Sequence, residues 1–228
     1  MRIAFITCIL LVFCAAGISS ANTIQSGPYM ATSPIPYSLT DWLGTLTFPQ
    51  FDPALGTLTE VDISLTGAMQ TQLTVQNVDS ELPSSGHTNT HLVFTVQDAG
   101  LNLHDPSIDM SGPSFAYSLD PGDSLTSGVL TKSLSITEIY TGPAILAEFS
   151  GPGVFSLNAS TFTETALFST GGNTESEQVT EAGLTGTVTY QYDVAVPEPV
   201  TMVSALLAAG GLGGYVRHRM TLGKRKRP

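Results

Sequence analysis

Between Asn22 and Val196 apolar residues fall mostly at every second position, a period that suits half-buried extended strands and little else. Val61, Ile63 and Leu65 alternate with Glu60, Asp62, Ser64 and Thr66. Met69, Thr71, Leu73 and Val75 alternate with glutamine and threonine, and Leu92, Phe94 and Val96 repeat the pattern. Val188, Tyr190, Tyr192 and Val194 form a last alternating run. Breakers separate these runs: Gly67-Ala68, Pro83-Ser-Ser-Gly86, Asp98-Ala-Gly100, Ser111-Gly-Pro113, Asp120-Pro-Gly-Asp123, Thr141-Gly-Pro143, Gly151-Pro-Gly153 and Gly171-Gly-Asn173. Turn signals at that density predict an all-β body, an antiparallel β-sandwich or jelly roll over residues 22–195. No helical periodicity is expected before residue 200.

Charge is distributed unevenly. Residues 22–196 hold eighteen acids and one cation, Lys132, a net charge near −17, whereas the last twelve residues carry +6. Such a split places the two parts in different surroundings. The acidic body would repel nucleic acid and anionic lipid. Both cysteines, Cys8 and Cys14, fall in the first fifteen residues, so the body has no thiol chemistry and no disulfide framework.

The ends read as sorting signals. Arg2, an apolar run from Ile3 to Ala16, and the small residues Ser19-Ser20-Ala21 form a secretory signal peptide over 1–21, with cleavage expected between Ala21 and Asn22. Phe13 before Cys14 argues against a lipoprotein site. At the other end, Pro197-Glu198-Pro199 precedes seventeen residues free of formal charge, 200–216, which as a helix would measure about 25 Å and span a bilayer. Gly210, Gly211, Gly213 and Gly214 are acceptable in such a helix. Arg217, Arg219, Lys224, Arg225, Lys226 and Arg227 would hold the tail on the cytoplasmic side and the body outside it.

This order of Pro197-Glu198-Pro199, short glycine-rich apolar helix and terminal basic cluster resembles the PEP-CTERM sorting domain. The resemblance implies processing by exosortase, a membrane-embedded cysteine peptidase of bacteria that have two membranes and make exopolysaccharide. Within the body, Phe51-Asp52-Pro53-Ala-Leu-Gly56-Thr-Leu58 followed by an alternating strand, together with Gly186-Thr-Val-Thr-Tyr-Gln-Tyr192, resembles the choice-of-anchor E domain, an exported β-rich domain of bacteria. The resemblance spans residues about 40 to 195 and implies location and architecture rather than chemistry. From the residues themselves, Phe48 and Phe51 are expected to anchor a turn through Asp52-Pro53.

No catalytic pattern emerges. His87 and His91 lie four apart, with His104 and Asp105 beyond, but the metalloprotease pattern wants Glu after the first histidine, where Thr88 stands. Asp98, Asp105, Asp109, Asp120 and Asp123 crowd turns without an EF-hand spacing and read as turn formers rather than calcium ligands. Glu138 and Glu148 are the carboxylates a glycosidase reading would use. Trp42, the one tryptophan, reads as core. Gly-x-Ser-x-Gly and phosphate-binding loops are missing. The expectation is a non-catalytic, cofactor-free surface or matrix protein associated with exopolysaccharide. A carbohydrate-binding module, with or without calcium, is the alternative, and a secreted polysaccharide hydrolase the lesser one. Exosortase and signal peptidase are the expected processing partners, and inner membrane followed by cell surface or matrix the expected location.

Overall fold

The computed structural model describes residues 22–98, 100, 103 and 106–194. The signal peptide, the Pro197-Glu198-Pro199 motif, the 200–216 segment, the basic cluster, His104 and Asp105 lie outside the described residues. Two antiparallel sheets pack into an all-β sandwich, as the period of two predicts. The sandwich unit is Ile24–Tyr192; in a second unit Thr23 Oγ1 donates to Asp193 Oδ1 at 2.6 Å.

The strands are β1 (Asn22–Met30), β2 (Ile35–Leu39), β3 (Leu43–Pro49), β4 (Thr57–Asn77), β5 (Ser84–Asp98), β6 (Ser107–Ser111), β7 (Phe115–Leu119), β8 (Ser124–Thr126), β9 (Leu130–Tyr140), β10 (Val154–Gly171) and β11 (Thr174–Val194). The six-stranded sheet runs β1-β11-β4-β8, with β2 also on β11 and β9 also on β4. The five-stranded sheet runs β3-β10-β5-β6, with β7 also on β5. Long strands carry two short ones on a single edge: β9 takes residues 61–71 of β4 and β8 takes 74–76. Likewise β6 takes 91–95 of β5 and β7 takes 84–88.

β4 runs 21 residues, well beyond the usual strand, and its alternation slips phase once, between Leu58 and Val61. Here two expectations need correcting. Gly67-Ala68 is no breaker: it sits in mid-strand, paired with Leu134 and Ser133. The glycine is needed for space, because a Cβ there would lie 2.7 Å from Phe94 Cε2. There is also a helix before residue 200, α1 (Pro143–Glu148), with proline in its first turn. Six residues are too few for a helical period to show in the sequence. The Asp120–Asp123 turn falls between β7 and β8 as expected, with Gly122 at φ 81°.

The interior is apolar at one end. Leu46, Phe48, Val61, Ile63, Leu65, Leu92, Phe94 and Val188 are buried between the sheets. An aromatic group of Phe51, Phe149, Phe155, Tyr190 and Tyr192 closes that end; Phe51 and Tyr192 have ring centroids 5.0 Å apart, and Phe149 and Phe155 4.1 Å. Phe51 anchors the turn as expected, and Asp52 accepts from Ala54 N at 2.9 Å to cap a short 3-10 turn, Pro53–Leu55. Trp42 is only half-buried, edge-on to Phe94, with Nε1 donating to Ala182 O at 3.0 Å.

The far end has a smaller apolar cluster of Val75, Tyr117 and Leu119, with Phe115 and Leu167 against it. Between the two clusters the interior turns polar. Thr71 Oγ1 lies 2.7 Å from Thr180 Oγ1 and 3.1 Å from Thr90 Oγ1, which donates to Gln178 Oε1 at 3.1 Å. This band joins β4, β5 and β11 across the sandwich by hydroxyl and amide groups alone.

Candidate functional site

Two features of the sandwich could meet a ligand. The first is the outer face of the five-stranded sheet. Even-numbered residues of β10 and odd-numbered residues of β5 point away from the core. Phe162 and Phe168 on β10 are 61% and 57% exposed, large apolar surfaces where polar side chains are the norm. Phe168 pairs with His87 of β5, and the rings stack with centroids 4.8 Å apart and 18° between planes. Between the two phenylalanines, Glu164 pairs with His91. His91 Nε2 is 2.6 Å from Asp109 Oδ1 on β6, and its Nδ1 is 3.2 Å from Glu164 Oε1. The second contact lacks hydrogen-bond alignment and is an ion-pair approach only. Three strands thus fix one imidazole between two exposed carboxylates.

The second feature is a cleft of about 260 Å³ at the side of the sandwich. The β2–β3 turn supplies Leu39, Thr40 and Asp41, and β10 supplies Thr163. Gln178, Val179 and Thr180 of β11 complete it. The turn is held by Thr40 N donating to Thr180 O at 3.0 Å and Asp41 N donating to Thr161 Oγ1 at 2.9 Å. Asp41 takes φ 65°, a left-handed conformation that aspartate tolerates better than most residues. Gln178 and Thr180 also belong to the internal polar band, so the band reaches the surface here. Thr163 Oγ1 is buried without a hydrogen-bond partner, as is Thr88 Oγ1. Each orphaned hydroxyl costs about 1–3 kcal/mol if nothing fills its need.

The residues singled out in the sequence distribute as follows. His87 and His91 share the outer face of β5, but their partners are a phenyl ring and two carboxylates rather than each other. Among the described residues no three His, Cys, Asp or Glu side chains converge as metal ligands. Asp98 is buried and accepts from Leu103 N at 3.3 Å; Asp120 and Asp123 bracket their turn, with Asp123 N donating to Asp120 O. Glu138 lies in β9 and Glu148 ends α1, so the two belong to separate elements. Asn22 begins β1 and is exposed. Phe162, Phe168, Thr163 and Gln178 had not been singled out in the sequence. The run Phe162-x-Glu164-x-x-x-Phe168 at even spacing is the signal that marks the outer face.

No family model matches the chain, and no curated protein matches it. Among solved structures, a Bacillus licheniformis lipase in propeptide form is 11% identical over 84% of this chain and 27% of its own, with a TM-score of 0.22. A Clostridium thermocellum xylanase module pair complexed with xylohexaose is 10% identical over 75% and 29%, with a TM-score of 0.19. Lectin II from Ulex europaeus is 10% identical over 75% and 94%, with a TM-score of 0.21. The chain spans little more than a quarter of the length of the first two, and likeness at this level assigns neither family nor activity.

Proposed function

We propose that this is an exported, non-catalytic protein of the cell surface or extracellular matrix, processed by exosortase and associated with exopolysaccharide. The observation that carries the reading is the resemblance of Val196-Pro197-Glu198-Pro199, the apolar stretch to Val216 and the six basic residues after it to the PEP-CTERM sorting domain. The N-terminal Arg2–Ala21 segment, in the form of a signal peptide, supports the same route. In this reading signal peptidase acts after Ala21. Exosortase acts near Pro197, Glu198 and Pro199, where two prolines hold the backbone extended beside the membrane. The apolar stretch serves as a single-pass inner-membrane anchor until then. The intact mass of the protein recovered from producing cells tests this: a chain running from Asn22 to near Pro197 is expected. Replacing Pro197, Glu198 and Pro199 with alanine should leave a precursor that keeps its basic tail, and normal processing of that variant overturns the reading.

A second reading, a carbohydrate-binding module, is favoured by the outer face of the five-stranded sheet. Exposed aromatic rings give a platform for the apolar faces of sugar rings, and Asn89, Glu164 and Thr95 nearby are positioned to take hydroxyls. A glycan array should report binding that falls at least tenfold in a Phe162→Ala, Phe168→Ala double variant. A blank array, with and without calcium, removes the outer face as the site of such binding.

A further inference from the structure

We propose that the cleft between the β2–β3 turn and strands β10 and β11 is a second carbohydrate site, taking a single neutral sugar unit. The inference rests on the carbohydrate-binding reading and adds to it a place, a size and a ligand class. Size comes first. The cleft has about 260 Å³ of room, far above the roughly 10–15 Å³ a single water needs, and it opens to solvent, so one small ring can enter without the walls moving.

The lining decides the chemistry. Thr40, Thr163, Gln178 and Thr180 are neutral donors and acceptors; Asp41 is an acceptor; Leu39 and Val179 are apolar walls. The lining has no lysine or arginine, so a phosphate or uronate would meet Asp41 without a counter-charge. A ring that carries several hydroxyls and an apolar face fits this set.

Two observations argue that the cleft is built for a ligand rather than left over from packing. The interior beside it is polar, where facing sheets normally bury apolar side chains. And Thr163, although it lines the cleft, keeps its hydroxyl buried and unpaired. Valine has nearly the same shape and would have removed the orphan. The turn over the cleft is fixed from both sheets, by Thr180 O on β11 and Thr161 Oγ1 on β10, so the site is pre-formed.

Calorimetry of the full chain with glucose, galactose, mannose and N-acetylglucosamine tests the proposal. At least one should bind in the millimolar range. Thr163→Val should weaken it about tenfold or more while the unfolding midpoint stays equal or rises, and Thr163→Ser should keep most of the affinity. Asp41→Asn, which tolerates the left-handed turn, should weaken it too. Silence from all four sugars overturns the proposal, as does binding indifferent to Thr163→Val. A blank glycan array with monosaccharide binding intact would end the outer-face reading and leave the cleft standing.

Discussion

Tyr190 shows how one side chain ties the apolar end together. Its ring lies 5.8 Å from Phe51, 6.0 Å from Tyr29 and 6.4 Å from Phe149, and its hydroxyl donates to Pro49 O at 2.5 Å. Burial, helped by Tyr29, pushes the phenol above its ordinary value of 10.0. A folded value raised above the unfolded one gives stability that is complete below about pH 10 and lost as the pH rises beyond it. Alkaline unfolding should therefore begin above about pH 10, and Tyr190→Phe should flatten that limb. The same variant leaves Pro49 O short of a donor and should lower stability at neutral pH by about 1 kcal/mol, read by denaturant unfolding. At the acid end Asp79 contributes locally. Its carboxylate accepts from Glu81 N at 2.9 Å and Leu82 N at 3.0 Å, and those bonds hold it below its ordinary 3.8. The β4–β5 loop should keep its order down to about pH 4 and loosen as the pH falls further, a change visible in the amide resonances of Glu81 and Leu82.

Among the elements, β10 is the most instructive. β4, the Leu92–Val96 stretch of β5 and the Val188–Val194 stretch of β11 are legible because their inward residues are apolar and their outward ones mostly polar. β10 is not. From Thr161 to Thr165 its inward positions are all threonine, and Phe162 and Phe168 stand among the outward ones, so until Leu167 the apolar pattern names the wrong face. Polar residues face in because the sandwich interior there is the threonine and glutamine band. The half of the strand that defeats the pattern is thus the half that lines the cleft and carries the exposed rings. Local rules tend to fail where a site has been built. The same half is held tightly to its neighbour. A Cβ at Gly86 would lie 1.9 Å from Phe168 O, so Gly86→Ala should part β5 from β10. A loss of about 3 kcal/mol or more is expected, with the amides of 164–171 exchanging first. Gly67→Ala meets a ring rather than a carbonyl and should cost less, about 1–3 kcal/mol. In sequence these glycines look like turns; only the approach of Phe94 and of Phe168 shows that they serve packing.

On the scale of the whole molecule, eighteen acids against one lysine over residues 22–196 leave the folded body repelling itself. Sodium chloride, by shortening the Debye length, should raise its denaturation midpoint from low ionic strength up to about 0.15 M and change it little beyond. The order of strands has another effect. β11, the last strand of the sandwich, sits inside the six-stranded sheet, between β4 on one edge and β1 and β2 on the other. Until Thr174–Val194 arrives, β1 and β2 have no partner strand in their sheet and β4 has one bare edge. A chain emerging residue by residue from a ribosome or a translocation channel would therefore stay unfinished until Thr174–Val194 came free, and would then close in one cooperative step. Completion of the molecule is in that sense a race between release of its last strand and capture of its waiting strands by something else.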